Sequence, residues 1–138
     1  MSAVSCKLLL IRILLSTFVT TPAVSAVSPA KAVVFELQGK KIIFSNFPER
    51  NILISSSCVE NNLLKQCDAS KAIKMLYGLA PIKDFLGRNP GAVACSQKLD
   101  GKVIWLQDRK GNERTFCRFP DASYLSSGTL NHYLRHRL

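Results

Sequence analysis

Four kinds of side chain in this sequence could catalyse, ligate or cross-link: two histidines, scattered carboxylates, cysteines and an excess of cations. His132 and His136 stand four residues apart, a spacing that puts both imidazoles on one helix face. Two nitrogens without a third ligand do not make a metal centre, and near a helix end a charged imidazole already suits the negative pole of the dipole. Acid–base or glycosidic chemistry needs two carboxylates held close together. Asp100, Asp108, Glu113 and Asp121 are instead dispersed through turn-rich segments, where Asp bonds its own backbone. No Ser sits in a Gly-x-Ser-x-Gly elbow, and no glycine-rich phosphate loop follows a strand. The residues therefore predict a non-catalytic protein with no metal and no cofactor.

The cysteines predict disulfides. Of five, Cys6 precedes an apolar run, and the other four are Cys58, Cys67, Cys95 and Cys117, spaced by 9, 28 and 22 residues. No Cys-x-x-Cys knuckle is present, which argues against zinc. Four cysteines leave three pairings open. Lys7, the apolar stretch Leu8 to Val19 interrupted by Arg12, and the small residues Val24-Ser25-Ala26 have the order of a secretory signal. A stretch this short does not span a bilayer of about 30 Å. Residues 1–26 are expected to be removed, leaving a mature chain that starts at Val27, has no transmembrane anchor and resides in the periplasm or outside the cell. Cleavage removes Cys6 and leaves an even set, as an oxidising compartment favours.

The chain has 138 residues, 19 Lys and Arg against 9 Asp and Glu, and 47% hydrophobic residues. A disordered tail, a collagenous repeat and a polytopic membrane protein are excluded on that composition. The net charge of +10 favours anionic partners. Lys98, Lys102, Arg109, Lys110, Arg114 and Arg118 surround one segment, with Trp105 and Phe116 among them, and form a candidate anion-binding set. Asp100, Asp108 and Glu113 in the same stretch oppose anion binding and favour a merely solvated basic surface, and no specific nucleic-acid role is expected. An anionic envelope surface or a protein is the expected partner.

The elements that must position these groups follow from periodicity. Ala32–Leu37 and Lys41–Phe47 are β-branched and aromatic around Gln38-Gly39-Lys40, a hairpin; Asn51–Ser55 is a third strand, and Cys58 to Cys67 encloses a polar loop. Asp68 caps a helix through Tyr77 that buries Ala69, Ala72, Ile73 and Leu76 and stops at Gly78. Pro81 and Gly87-Arg88 mark a joint. Asn89-Pro90 opens a second helix with Ala92, Cys95 and Leu99 on one face. Lys102–Gln107 and Glu113–Phe119 form a second hairpin, in which Thr115, Cys117 and Phe119 share a side, and Leu125–Leu134 ends the chain as a helix. The expected fold class is α+β: an N-terminal hairpin with one helix (27–84) and a C-terminal helix–hairpin–helix unit (85–138), each closed by a local disulfide.

From Asn89 onward the chain resembles small exported bacterial domains of unknown function that often carry a hemolysin label. The resemblance rests on Asn89-Pro90-Gly91-Ala92-Val93-Ala94-Cys95, the Gly-containing turn Asp108–Asn112, and Cys117-Arg118-Phe119-Pro120-Asp121-Ala122-Ser123. Family members carry Gly where Ala122 stands and have a second cysteine pair further on, of which both partners are missing here. Together with the facing of Cys95 and Cys117 between helix and strand, the resemblance implies Cys95–Cys117, which leaves Cys58–Cys67. No lytic mechanism follows from these residues. The expected function is a non-catalytic exported binding or structural module; a membrane-disturbing effector and an exported hydrolase inhibitor are the alternatives.

Overall fold

A two-residue turn in which Gln38 (φ 49°) and Gly39 (φ 79°) are both left-handed folds β1 (Lys31–Leu37) onto β2 (Lys40–Phe47). Turns of this kind match the twist of the strands they join. The computed structural model describes residues 28–79 and 87–136. The expected leader over 1–26, its cut before Val27, and the joint at Pro81 lie outside the described residues.

A 3-10 turn (Pro48–Arg50) leads into β3 (Ile52–Ser55), antiparallel to β2. The segment between Cys58 and Cys67 is not a plain loop. It holds a separate small hairpin, β4 (Val59–Glu60) and β5 (Leu63–Leu64), turned by Asn61 and Asn62 at φ 50° and 60°. Asn tolerates the left-handed region better than other non-glycine residues, so the Asn-Asn step was a turn signal of its own. Helix α1 (Asp68–Gly78) buries the expected face. Its cap, however, is Cys67: the Cys67 sulfur accepts from Ser70 N–H at 3.2 Å, and the Ser70 hydroxyl accepts from Cys67 N–H at 3.1 Å. Asp68 is the first helical residue, where its negative charge still suits the dipole.

Helix α2 (Pro90–Lys98) opens as expected, with Asn89 Oδ1 accepting from Gly91 and Ala92 N–H. Strands β6 (Lys102–Asp108) and β7 (Glu113–Arg118) pair from Lys102↔Arg118 to Gln107↔Glu113. The last stretch begins with β8 (Tyr124–Ser126) before turning into α3 (Ser127–Arg135).

The α+β arrangement of two hairpin-and-helix units is overturned. Strands from both halves join in one closed antiparallel barrel of six strands, ordered β1-β2-β3-β8-β7-β6. Each hairpin was foreseeable because its ladder is local. The two junctions that close the barrel are short and remote in sequence: Phe35↔Asp108 with Glu36↔Gln107, and Ile54↔Leu125. Residues so far apart leave no periodic or turn signal of their pairing.

Closure creates two cores. Inside the barrel, Phe35, Phe44, Leu106 and Phe116 are fully buried, the three rings meeting at centroid distances of 4.7 to 5.3 Å. That filling leaves no lumen, as expected of so small a barrel. Phe116, placed by its sequence neighbours on a basic surface, is thus the centre of the interior. Alternation sends the next residue, Cys117, outward. There it joins Ile52, Ile54 and Leu125 beneath Leu76 of α1, Cys95 of α2 and Leu130 of α3. Both disulfides pair as expected, Cys58 with Cys67 and Cys95 with Cys117.

Candidate functional site

The six cations singled out from the sequence do not form one patch. Lys102 lies directly opposite Arg118, and Lys98 ends the helix that leads to them. Arg109 and Lys110 occupy the β6–β7 turn, six or more residues along the ladder from Lys102, roughly 20 Å at strand rise. Arg114 stands between the two groups. All six are exposed, and no ion pair among the described residues involves them.

Two of the four carboxylates, Asp108 and Asp121, bond turn backbone, whereas Glu113 lies in β7 and accepts from Gln107 Nε2 at 3.4 Å, and Asp100 stands at φ 52° between α2 and β6. Asp108 Oδ1 accepts from Lys110 N–H at 2.8 Å and Asn112 N–H at 3.0 Å, and Oδ2 accepts from the Asn112 amide at 3.0 Å. The side-chain bond from Asn112, then its backbone bond, hold this carboxyl below its ordinary value. Asp121 does more than make a turn. Its Oδ1 accepts from Ser123 N–H at 2.9 Å, while Oδ2 accepts from Asp68 N–H at 2.7 Å, and the Ser123 hydroxyl accepts from Ala69 N–H at 2.9 Å. The first two N–H groups of α1, which no helical carbonyl can reach, are therefore satisfied from a distant loop. Ala122 between them has φ 61°, the conformation for which glycine is the natural residue.

Burial pushes the Asp121 carboxyl up, but the bonds from Asp68 and Ser123 outweigh it and hold it below 3.8. A depressed folded value stabilises the protein above the unfolded value and ceases to do so as pH falls through the folded one. Asp121→Ala is expected to cost about 1 kcal/mol at neutral pH, the usual size of a lost N-cap. The gap between wild type and variant should narrow in urea titrations carried below pH 3.8; a gap independent of pH would contradict this role.

A large cleft arises where the barrel wall is incomplete. Because β8 has three residues and gives way to α3, it pairs only with Phe116–Arg118, and Glu113–Thr115 of β7 are held by β6 alone. The opening, of about 620 Å³, is floored by Leu53, Val103 and Thr115, walled by Ala92 of α2 and Trp105 of β6, and edged by Arg88, Arg114 and Glu113. Trp105, opposite Thr115 in the ladder, remains 61% exposed. The far wall is fixed by a close approach of α2 to α3: a Cβ on Gly91 would collide with the Ser127 carbonyl and lie 3.1 Å from Asn131 N.

Of the cleft's residues, Trp105, Arg114 and Glu113 stood out in the sequence for their chemistry, and Arg88, Asn89, Ala92 and Thr115 only as markers of a joint, a helix start or a face. Leu53, Arg88 and Val103 come from separate elements and share no motif. The His132 and His136 rings lie 4.6 Å apart, with His132 Nε2 3.5 Å from Asn51 Nδ2. Among the described residues no group of three His, Cys, Asp or Glu could hold a metal ion, and no helix is long and apolar enough to cross a membrane. No family model, curated protein or solved structure matches the chain.

Proposed function

We propose that the protein is a non-catalytic binding module of the exported class, and that it docks an anionic partner of the cell envelope in the Trp105 cleft. The observation that carries this reading is the exposed indole set in a mainly apolar opening lined also by two arginines, Arg88 and Arg114, against one acid, Glu113. Large rigid aromatic side chains and Arg dominate binding energy where they are found at interfaces. A ligand with a flat or ring-shaped apolar face and an acidic group, such as an acidic polysaccharide, matches both features. Two disulfides support residence in an oxidising compartment. The resemblance of the segment from Asn89 to exported domains points the same way, and its hemolysin label adds no chemistry.

Trp105 is the sole tryptophan, so its emission reports on the cleft directly. Titration with an acidic polysaccharide should shift or quench that emission, and the response should fade as salt shortens the screening length below about 8 Å. In a binding assay without fluorescence, Trp105→Ala and Arg114→Glu should each weaken association at least about tenfold. Unchanged emission across acidic glycans, or full binding by both variants, would refute the reading.

A further inference from the structure

Helix α1 carries a second, polar stripe. Ser70, Lys74 and Tyr77 succeed one another along one face, with Lys71 beside them, and they line a cavity of about 220 Å³ that shares no residue with the Trp105 cleft. The segment after β5 supplies Lys65, and the 3-10 turn supplies Arg50. We propose that this cavity binds a phosphomonoester, held between Arg50, Lys65, Lys71 and Lys74.

Four cationic residues from three elements line one small cavity; Lys71 Nζ lies 3.2 Å from Asp68, the one carboxylate paired with them among the described residues, and the Arg50 guanidinium lies 5.6 Å from the Phe47 ring centroid. The surplus of positive charge suits a dianion better than a carboxylate or a sulfate ester, each of which carries one negative charge. A phosphomonoester is largely dianionic at neutral pH and offers three acceptor oxygens. Cationic residues supplied by three separate elements suit a group with three acceptor oxygens better than a flat carboxylate with two. The volume admits a phosphate with a small organic remainder, not a folded partner.

The walls are pre-organised. The Cys58–Cys67 disulfide and the bond from Lys65 N–H to the Cys58 carbonyl at 3.0 Å anchor the backbone that bears Lys65. The Ser70 hydroxyl donates to the Lys65 carbonyl at 2.8 Å. On the far side, the Tyr133 hydroxyl donates to the Arg50 carbonyl at 3.0 Å, and its ring meets Tyr77 edge-on at 5.8 Å. Burial, and then Tyr77, push the Tyr133 phenol up, so it remains a donor at neutral pH. Little backbone ordering is left to oppose binding.

The test uses the oxidised mature chain at constant ionic strength, with amide NMR shifts and thermal shift as readouts. Glycerol 3-phosphate should saturate shifts confined to the neighbourhood of Arg50, Lys65 and Lys71–Tyr77 and raise the melting temperature. Acetate and methyl sulfate should bind at least about tenfold more weakly. Lys65→Gln/Lys74→Gln should lose the response, while Lys31→Gln/Lys40→Gln, which removes the same charge elsewhere, should keep it. Sedimentation with phosphatidic acid vesicles separates two sources of the group: a response to vesicles alone assigns a lipid headgroup, and one to glycerol 3-phosphate assigns a soluble ester. Equal response to methyl sulfate, equal loss in both double variants, or no response to either phosphomonoester would overturn the proposal.

Discussion

Removing the Cys95–Cys117 bridge as Cys95→Ala/Cys117→Ala is expected to lower stability by roughly 3 kcal/mol, because a link across 22 residues restricts the unfolded chain. The melting temperature should fall by more than about 10 °C. The native surroundings add a sharper expectation. Both cysteines are fully buried, and Gly101 packs against them so closely that a Cβ there would fall on Cys117 Sγ and lie 2.8 Å from Cys95 Sγ. Gly101→Ala alone should therefore destabilise by about 1–3 kcal/mol through overpacking. In the double alanine background the sulfurs are gone, and the same methyl enters space they vacated. The cost of Gly101→Ala should then drop or change sign, a coupling that a mutant cycle measures by urea denaturation. Strict additivity would show that the bridge does not lie over Gly101.

Phe116→Ala should cost about 3–5 kcal/mol, the range for truncating a large buried aromatic. Its ring lies 4.8 Å from Phe35 and 4.7 Å from Phe44, residues supplied by the first hairpin, so one substitution empties the space where both halves of the chain meet. Truncating Trp105, one ladder step away but facing outward, should cost far less, since its side chain is already 61% exposed. If Phe116→Ala and Trp105→Ala proved equally mild, the interior would not be packed as described. With Phe35, Phe44, Leu106 and Phe116 filling the interior, one ring carries a large share of a small protein's stability.

Local signals made much of the molecule legible. Alternating β-branched residues around Gln38-Gly39 specify the first hairpin, because the turn's handedness and the strand pattern both act between neighbours. Asn89-Pro90 specifies the start of α2 for the same reason, and Asn61-Asn62 is a turn signal of the same local kind inside the segment expected as a loop. The cysteine pairing rested on the facing of Cys95 and Cys117 together with what the resemblance from Asn89 onward implies, and Cys58–Cys67 was what remained. What the sequence by itself determined, then, are the two large hairpins and the bodies of the helices, products of short-range geometry, together with an even set of cysteines able to pair.

Tertiary structure decided the rest. Ile54↔Leu125 and the two rungs between β1 and β6 join residues some seventy positions apart, and a ladder of one or two rungs imposes no pattern on either strand. They nevertheless convert two hairpins into a barrel and so decide that Phe116 is interior while Trp105 is not. They also bring Asp121 and Ser123 to the start of α1, turning a loop motif into a helix cap. Both clefts arise in the same way. Leu53 shares a cleft with Arg88 and Trp105, and Arg50 shares a cavity with Lys65 and Lys74, only because closure and helix packing bring separate segments together, and burial of apolar surface, which drives that packing, has no direction along the chain.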